Sequence, residues 1–121
     1  MIESETILDT DKLYRRFRED DFKEGQLKSS AFSDTTEKQP SVHLERLANF
    51  NSINELYRDK IVSYGVLLMS VLRKNEFDAE HKPLDSDISH SVILTLTKEG
   101  FTRGARKKLK KLVSQIIDVD T

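Results

Sequence analysis

Three stretches of the chain alternate apolar and polar positions in the manner of half-buried strands. In "SVHLERL", Val42 and Leu44 alternate with His43 and Glu45. In "HSVILTLT", Val92, Leu94 and Leu96 share one face, Ile93 and Thr95 share the other, and β-branched residues recur. In "SSAFS", Ala31 and Ser33 face opposite to Phe32. The polar connector "DTTEKQP" joins segments 29–33 and 41–45, so the pair predicts a β-hairpin. Pro40 is tolerable at the mouth of its second strand, where no ladder N–H is lost. "KLYRRF" reads two ways, because Leu13 and Phe17 are one helical turn apart while Tyr and Phe also suit a strand.

Helical spacing governs two other regions. "NSINELYRD" opens with Ser52 and Glu55 placed for a capping box, and Ile53, Leu56 and Tyr57 follow on one face. "YGVLLMSVLRKN" either continues that helix or forms a strand buried on both faces. Gly65 is a natural break, and a strand over 65–73 is preferred. In "TRGARKKLKKLVSQII", Ala105, Leu109, Leu112, Val113 and Ile116 recur at intervals of three and four, which predicts an amphipathic C-terminal helix. The expected architecture is α+β. A small, mainly antiparallel sheet of about four to five strands, from segments 29–33, 41–45, 65–73 and 90–97, carries a short central helix and the C-terminal helix. Residues 1–11 are expected as a flexible arm before a single domain over 12–121.

Composition narrows the picture. Apolar residues are 36% and charged residues 34%, so the core must be thin. The net charge of −1 gives the whole molecule no bulk attraction to nucleic acid or lipid, so any such binding must be local. The chain has no cysteine, which excludes disulfides, thiolate nucleophiles and Cys-ligated metals. The longest apolar run, "YGVLLMSVL", is far short of the roughly 20 residues of a membrane span. The first residues lack a secretion signal's basic start and apolar run. These features predict a cytoplasmic protein with no membrane contact.

Two constellations carry candidate chemistry. Arg103, Arg106, Lys107, Lys108, Lys110 and Lys111 surround the apolar stripe of the last helix, and no acid occurs between Glu99 and Asp118. Such a local field suits a polyanion or an acidic partner. It also suits a solvated face whose long stems cover the core edge. His43 and Glu45 point to one side of their strand, and His90 opens another strand. If the two strands were neighbours, His43, Glu45 and His90 would converge as weak candidates for acid–base or metal chemistry. His81 and Asp87 lie in a loop and contribute only if it folds over.

The order "LYRRF", "SSAF", "PSVHLERL", the Gly65 run, Pro83 and "SDISH" resembles a pattern in small uncharacterised bacterial proteins, over about residues 13–112. The resemblance implies a bacterial origin and a compact single domain. It draws attention to Arg15, Arg16, Phe32, Ser41 and His90. With no complete catalytic set, no cofactor and no metal site are expected. The preferred function is a non-catalytic binding or accessory module of a bacterial multi-component system, with a protein partner and nucleic acid as the second choice. The alternative is a small nucleotide- or RNA-directed hydrolase or transferase.

Overall fold

The computed structural model describes residues 3–33, 39–57 and 61–119. Its strands are β1 (Lys12–Phe17), β2 (Phe22–Lys23), β3 (Gln26–Leu27), β4 (Ser41–Leu44), β5 (Ser63–Leu68), β6 (Phe77–His81), β7 (His90–Thr95) and β8 (Gln115–Asp118). Its helices are α1 (Phe50–Leu56), α2 (Met69–Lys74) and α3 (Arg103–Leu112). The class is α+β. Six strands form one antiparallel sheet in the order β6-β7-β4-β1-β5-β8, and β2 and β3 form a separate ribbon. The main sheet is therefore wider than the four to five strands expected.

"KLYRRF" resolves as β1, near the middle of the sheet, paired with β4 on one side and β5 on the other. Its alternation sets the two faces. Leu13 and Phe17 enter the main core with Leu44, Leu67, Phe32, Phe77, Ile93 and Leu109. Tyr14 and Arg16 point to the opposite face, beneath α1. Gly65 lets the Phe17 ring cross over β5. A Cβ there would sit 2.4 Å from Phe17 Cε2 and 2.7 Å from Cζ, with no room to form. The β2–β3 ribbon turns at Glu24 and Gly25, both at positive φ, the two-residue turn whose twist matches antiparallel strands.

Several elements differ from the sequence expectation. Segment 29–33 is not a strand. Ser29–Phe32 forms a 3-10 turn, and adjacent Ala31 and Phe32 are both buried. Its carbonyls are taken by a side chain rather than a neighbouring strand: Arg15 donates to Ala31 O at 2.9 and 3.1 Å and to Ser33 O at 3.2 Å. The predicted hairpin is thus absent, and β4 pairs with β1 and β7 instead. The connector residues 34–38 lie outside the described residues.

The 65–73 strand stops at Leu68, where α2 begins. Met69 and Leu72, one helical turn apart, are both buried. The carbonyls of Asp11 and Asp9 accept from Met69 N–H and Ser70 N–H, satisfying two of the helix's free amides. Helix α1 starts earlier than expected, capped by the Asn49 side chain accepting from Ser52 N–H at 3.1 Å, rather than by Ser52. Helix α3 is shorter than expected. Leu109 is buried, Leu112 is half-buried, and the chain extends at Val113 to add β8 beside β5. Ile116 is therefore a strand residue, 43% exposed, and not part of the helical stripe. The β-branched run Val113, Ile116 and Ile117 favours that extension.

Along residues 3–11, Arg46 donates to Asp11 at 2.9 Å and to Glu5 at 2.5 Å. Arg73 donates to Asp9, to Asp78 and to Ile7 O, and the Ile7 side chain is buried.

Candidate functional site

The face opposite the main core collects polar and aromatic groups. In the register, His43 lies opposite both Tyr14 and His90, and Tyr64 lies opposite Arg16. Phe50 of α1 packs on Tyr14 and Tyr64, with ring centroids 4.8 and 5.1 Å apart. Tyr64 Oη donates to Asn54 Oδ1 at 2.6 Å. The condition set by the sequence, that β4 and β7 be neighbours, is met.

The groups that actually meet His43 are different ones. Its Nδ1 lies 2.7 Å from Asp87 Oδ2, and its Nε2 lies 2.7 Å from Arg16 Nη1. A guanidinium only donates, so Nε2 must hold its lone pair and Nδ1 must carry the proton given to Asp87. Asp87 Oδ1 accepts from Ser89 N–H at 3.0 Å and Ser89 Oγ–H at 2.5 Å. The result is a chain Ser89–Asp87–His43–Arg16, with His43 and Ser89 wholly buried. Arg16 ends it, half-buried, with its guanidinium carbon 3.8 Å from the Tyr57 ring centre.

The loop before β7 makes this possible. Leu84 and Asp87 exchange backbone hydrogen bonds at 3.0 Å, which closes the loop over β4. "Asp-Ile-Ser" is then an Asx turn, the one local signal in the sequence for this role. Glu45 sits in a 3-10 turn after β4 and bonds Tyr14 rather than His43. His90 donates its Nδ1–H to Lys82 O at 2.8 Å. His81 lies on the other face, accepting from Glu5 N–H and donating to Ile88 O. His43 and His90 are thus brought side by side, while Glu45 and His81 are turned to other partners. Among the described residues, no group of three or more His, Asp and Glu side chains is arranged to hold a metal ion.

Electrostatics agree with the hydrogen bonds. Burial pushes the His43 pKa below its ordinary value. The Asp87 hydrogen bond opposes that, and the charge of Arg16 adds to it. Burial alone would raise Asp87, but bonds from His43 and Ser89 hold it at about 2. Tyr64 is pushed up to about 12, chiefly by burial. Tyr14 is raised by burial and by Glu45. At neutral pH the chain is a carboxylate, a neutral imidazole and a guanidinium in line. Both His43 nitrogens are committed, Nδ1 as donor to Asp87 and Nε2 as acceptor from Arg16.

Helix α3 holds the predicted basic residues. Arg103, Lys107, Lys110 and Lys111 are exposed, while Arg106 and Lys108 are half-buried. Arg106 donates to Phe101 O at 2.9 Å, and Lys108 Nζ lies 5.6 Å from the Phe77 ring centre. Among the described residues, none of the six forms an ion pair. Phe101 stacks on buried Phe77 at 6.3 Å. No helix among the described residues is long and apolar enough to cross a membrane. Comparison of the chain with protein-family models, with curated proteins and with solved structures finds no match.

Proposed function

We propose that this chain is a non-catalytic binding module, an accessory component of a bacterial multi-component system, and that it contacts an acidic partner protein through α3. The observation that carries the reading is the state of α3: four exposed cations on a helix anchored by buried Leu109, with no acid paired to them among the described residues. A rigid helix with unneutralised charge raises the association rate of an oppositely charged partner. Phe101, which precedes the helix in sequence, is already stacked on buried Phe77, and no aromatic stands among the cations of residues 103–111, which favours a protein over nucleic acid. The commitment of both His43 nitrogens supports a non-catalytic role.

The test is a titration of the protein with an acidic peptide of Asp and Glu, with duplex DNA and with single-stranded RNA. The acidic peptide is expected to form a saturable complex that Lys107→Glu with Lys110→Glu abolishes. Tight DNA or RNA binding, with affinity falling on a log–log salt slope near −0.9 for each phosphate contacted, replaces the protein partner by nucleic acid. Turnover in nuclease, phosphatase or NAD-glycohydrolase assays, abolished by His90→Ala in a folded protein, overturns the non-catalytic reading.

A further inference from the structure

The arginines of this chain differ in what they hold. Arg18 pairs with Asp20, Arg46 with Glu5 and Asp11, and Arg73 with Asp9 and Asp78. Arg15 is committed to backbone carbonyls, those of Ala31, Ser33 and Ser41. Arg16, its neighbour in β1, holds no acid and no carbonyl among the described residues. Its hydrogen bond goes to the lone pair of His43 Nε2, from one Nη1 proton. A guanidinium has five N–H donors, so four are left over.

These donors are nevertheless held in place. His43 fixes one end of the guanidinium, and His43 is itself fixed by Asp87, which is fixed by Ser89. Tyr57 lies against the guanidinium plane. A cation on a long side chain normally loses rotamer freedom when it binds. Here that ordering is already done, at the end of a buried polar chain with no further partner among the described residues. The neutral imidazole of His43 stands between the Asp87 carboxylate and Arg16. Arg16 is half-buried, so part of the residue reaches solvent while the rest is shielded from it.

We infer that Arg16 is the binding group of a phosphate site on the α1 side of the sheet. The free edge of a guanidinium matches two oxygens of a phosphate group with parallel N–H···O bonds. A phosphate monoester carries up to two negative charges at neutral pH, and so gains more than a carboxylate from an arginine with no acid paired to it among the described residues. The site lies on the opposite face of the sheet from α3, because Leu109 packs with Leu13 and Phe17 while Arg16 points the other way. It is thus independent of the proposed contact through α3.

The experiment is a titration of the whole protein with inorganic phosphate and, separately, with acetate at matched ionic strength. The readouts are the Arg16 Nε–Hε signal and the His43 ring nitrogens by NMR. Phosphate is expected to shift both signals saturably, and acetate to do so more weakly. Arg16→Gln is expected to lose phosphate affinity by about tenfold or more, the loss of one charge-assisted fork. Arg16→Lys keeps the charge without the fork and is expected to bind more weakly than the parent. Lys107→Glu with Lys110→Glu should leave the titration unchanged. Shifts at Arg16 that stay linear in phosphate, or that acetate reproduces equally, overturn the inference. Because the parent signals are read directly, that outcome does not depend on any variant folding.

Discussion

Along α3, six cations stand within the nine residues 103–111, four of them exposed. Among the described residues, only Arg106 and Lys108 of these six have contacts outside the helix, with Phe101 O and the Phe77 ring. On the other face of the sheet, Arg16 is a single cation stacked on Tyr57 and tied through His43 to Asp87. The first region presents charge by number, the second by orientation. Long exposed lysines adapt to many acidic surfaces but must be ordered on binding, at roughly 0.5–1.5 kcal/mol for each immobilised side chain. An arginine already ordered loses less and accepts fewer geometries. The two faces also differ in what supports them. Helix α3 stands on an apolar core, whereas Arg16 stands on buried polar groups that are stable only while every hydrogen bond is made.

The largest test of that difference removes the shared support. Leu109→Asp replaces a wholly buried core side chain with a charge. Losing a buried leucine costs about 2–5 kcal/mol before the charge is counted, against a total stability of roughly 5–15 kcal/mol. Both regions should be lost together, seen as the absence of a cooperative thermal transition. Leu112→Asp should cost less, because Leu112 is only half-buried.

Asp87→Ala separates the regions. It leaves the His43 Nδ1–H buried without its carboxylate, a cost of about 1–3 kcal/mol. The expected result is a lower urea midpoint and loss of Arg16 orientation, with acidic-peptide binding by α3 intact.

Acid should act on the polar face first. The folded-state pKa of His43 lies below its ordinary value, so the unfolded chain takes up that proton at higher pH than the folded one. Stability should therefore fall as pH drops below about 6.5. Asp87, at about 2 in the folded protein, adds a second loss as pH falls from about 3.9 toward that value. Urea midpoints measured across pH 3–8 check the order. His43→Gln should remove the first decline and, by taking away part of what holds Asp87 down, shrink the second.

How far the sequence reveals this molecule depends on where each element finds its partners. β4 and β7 are legible as strands because their alternation is local, and Val42, Leu44, Val92 and Ile93 are buried. The pattern misplaces other positions: Leu94 is only half-buried, Leu96 is 65% exposed past the end of β7, and His43 is buried rather than on a solvated face. Segment 29–33 is not, because its carbonyls are satisfied by Arg15, 16 residues or more away in sequence. The end of α3 is hidden for a related reason. Ile116 keeps helical spacing, and only the open edge of β5 pulls it into a strand. The pairing of His43 with His90 can be stated from sequence only as a condition on strand order. Asp87 reaches His43 only because the loop closes between Leu84 and Asp87. Arg15 and Arg16 look alike in "YRRF", and the pleat of β1 alone sends one to carbonyls and the other to the polar chain.

The most direct measurement for the central claim, that α3 is the partner-contacting surface and is separate from Arg16, is amide chemical-shift mapping on addition of the acidic peptide. Saturable shifts should concentrate at residues 103–111, leave Arg16, His43 and Tyr57 unchanged, and vanish in the Lys107→Glu, Lys110→Glu protein. The melting point of that variant should stay close to the parent's, since exposed charges contribute little to stability. Shifts concentrated at Arg16 and Tyr57, or shifts at α3 that survive both charge reversals, would contradict the account.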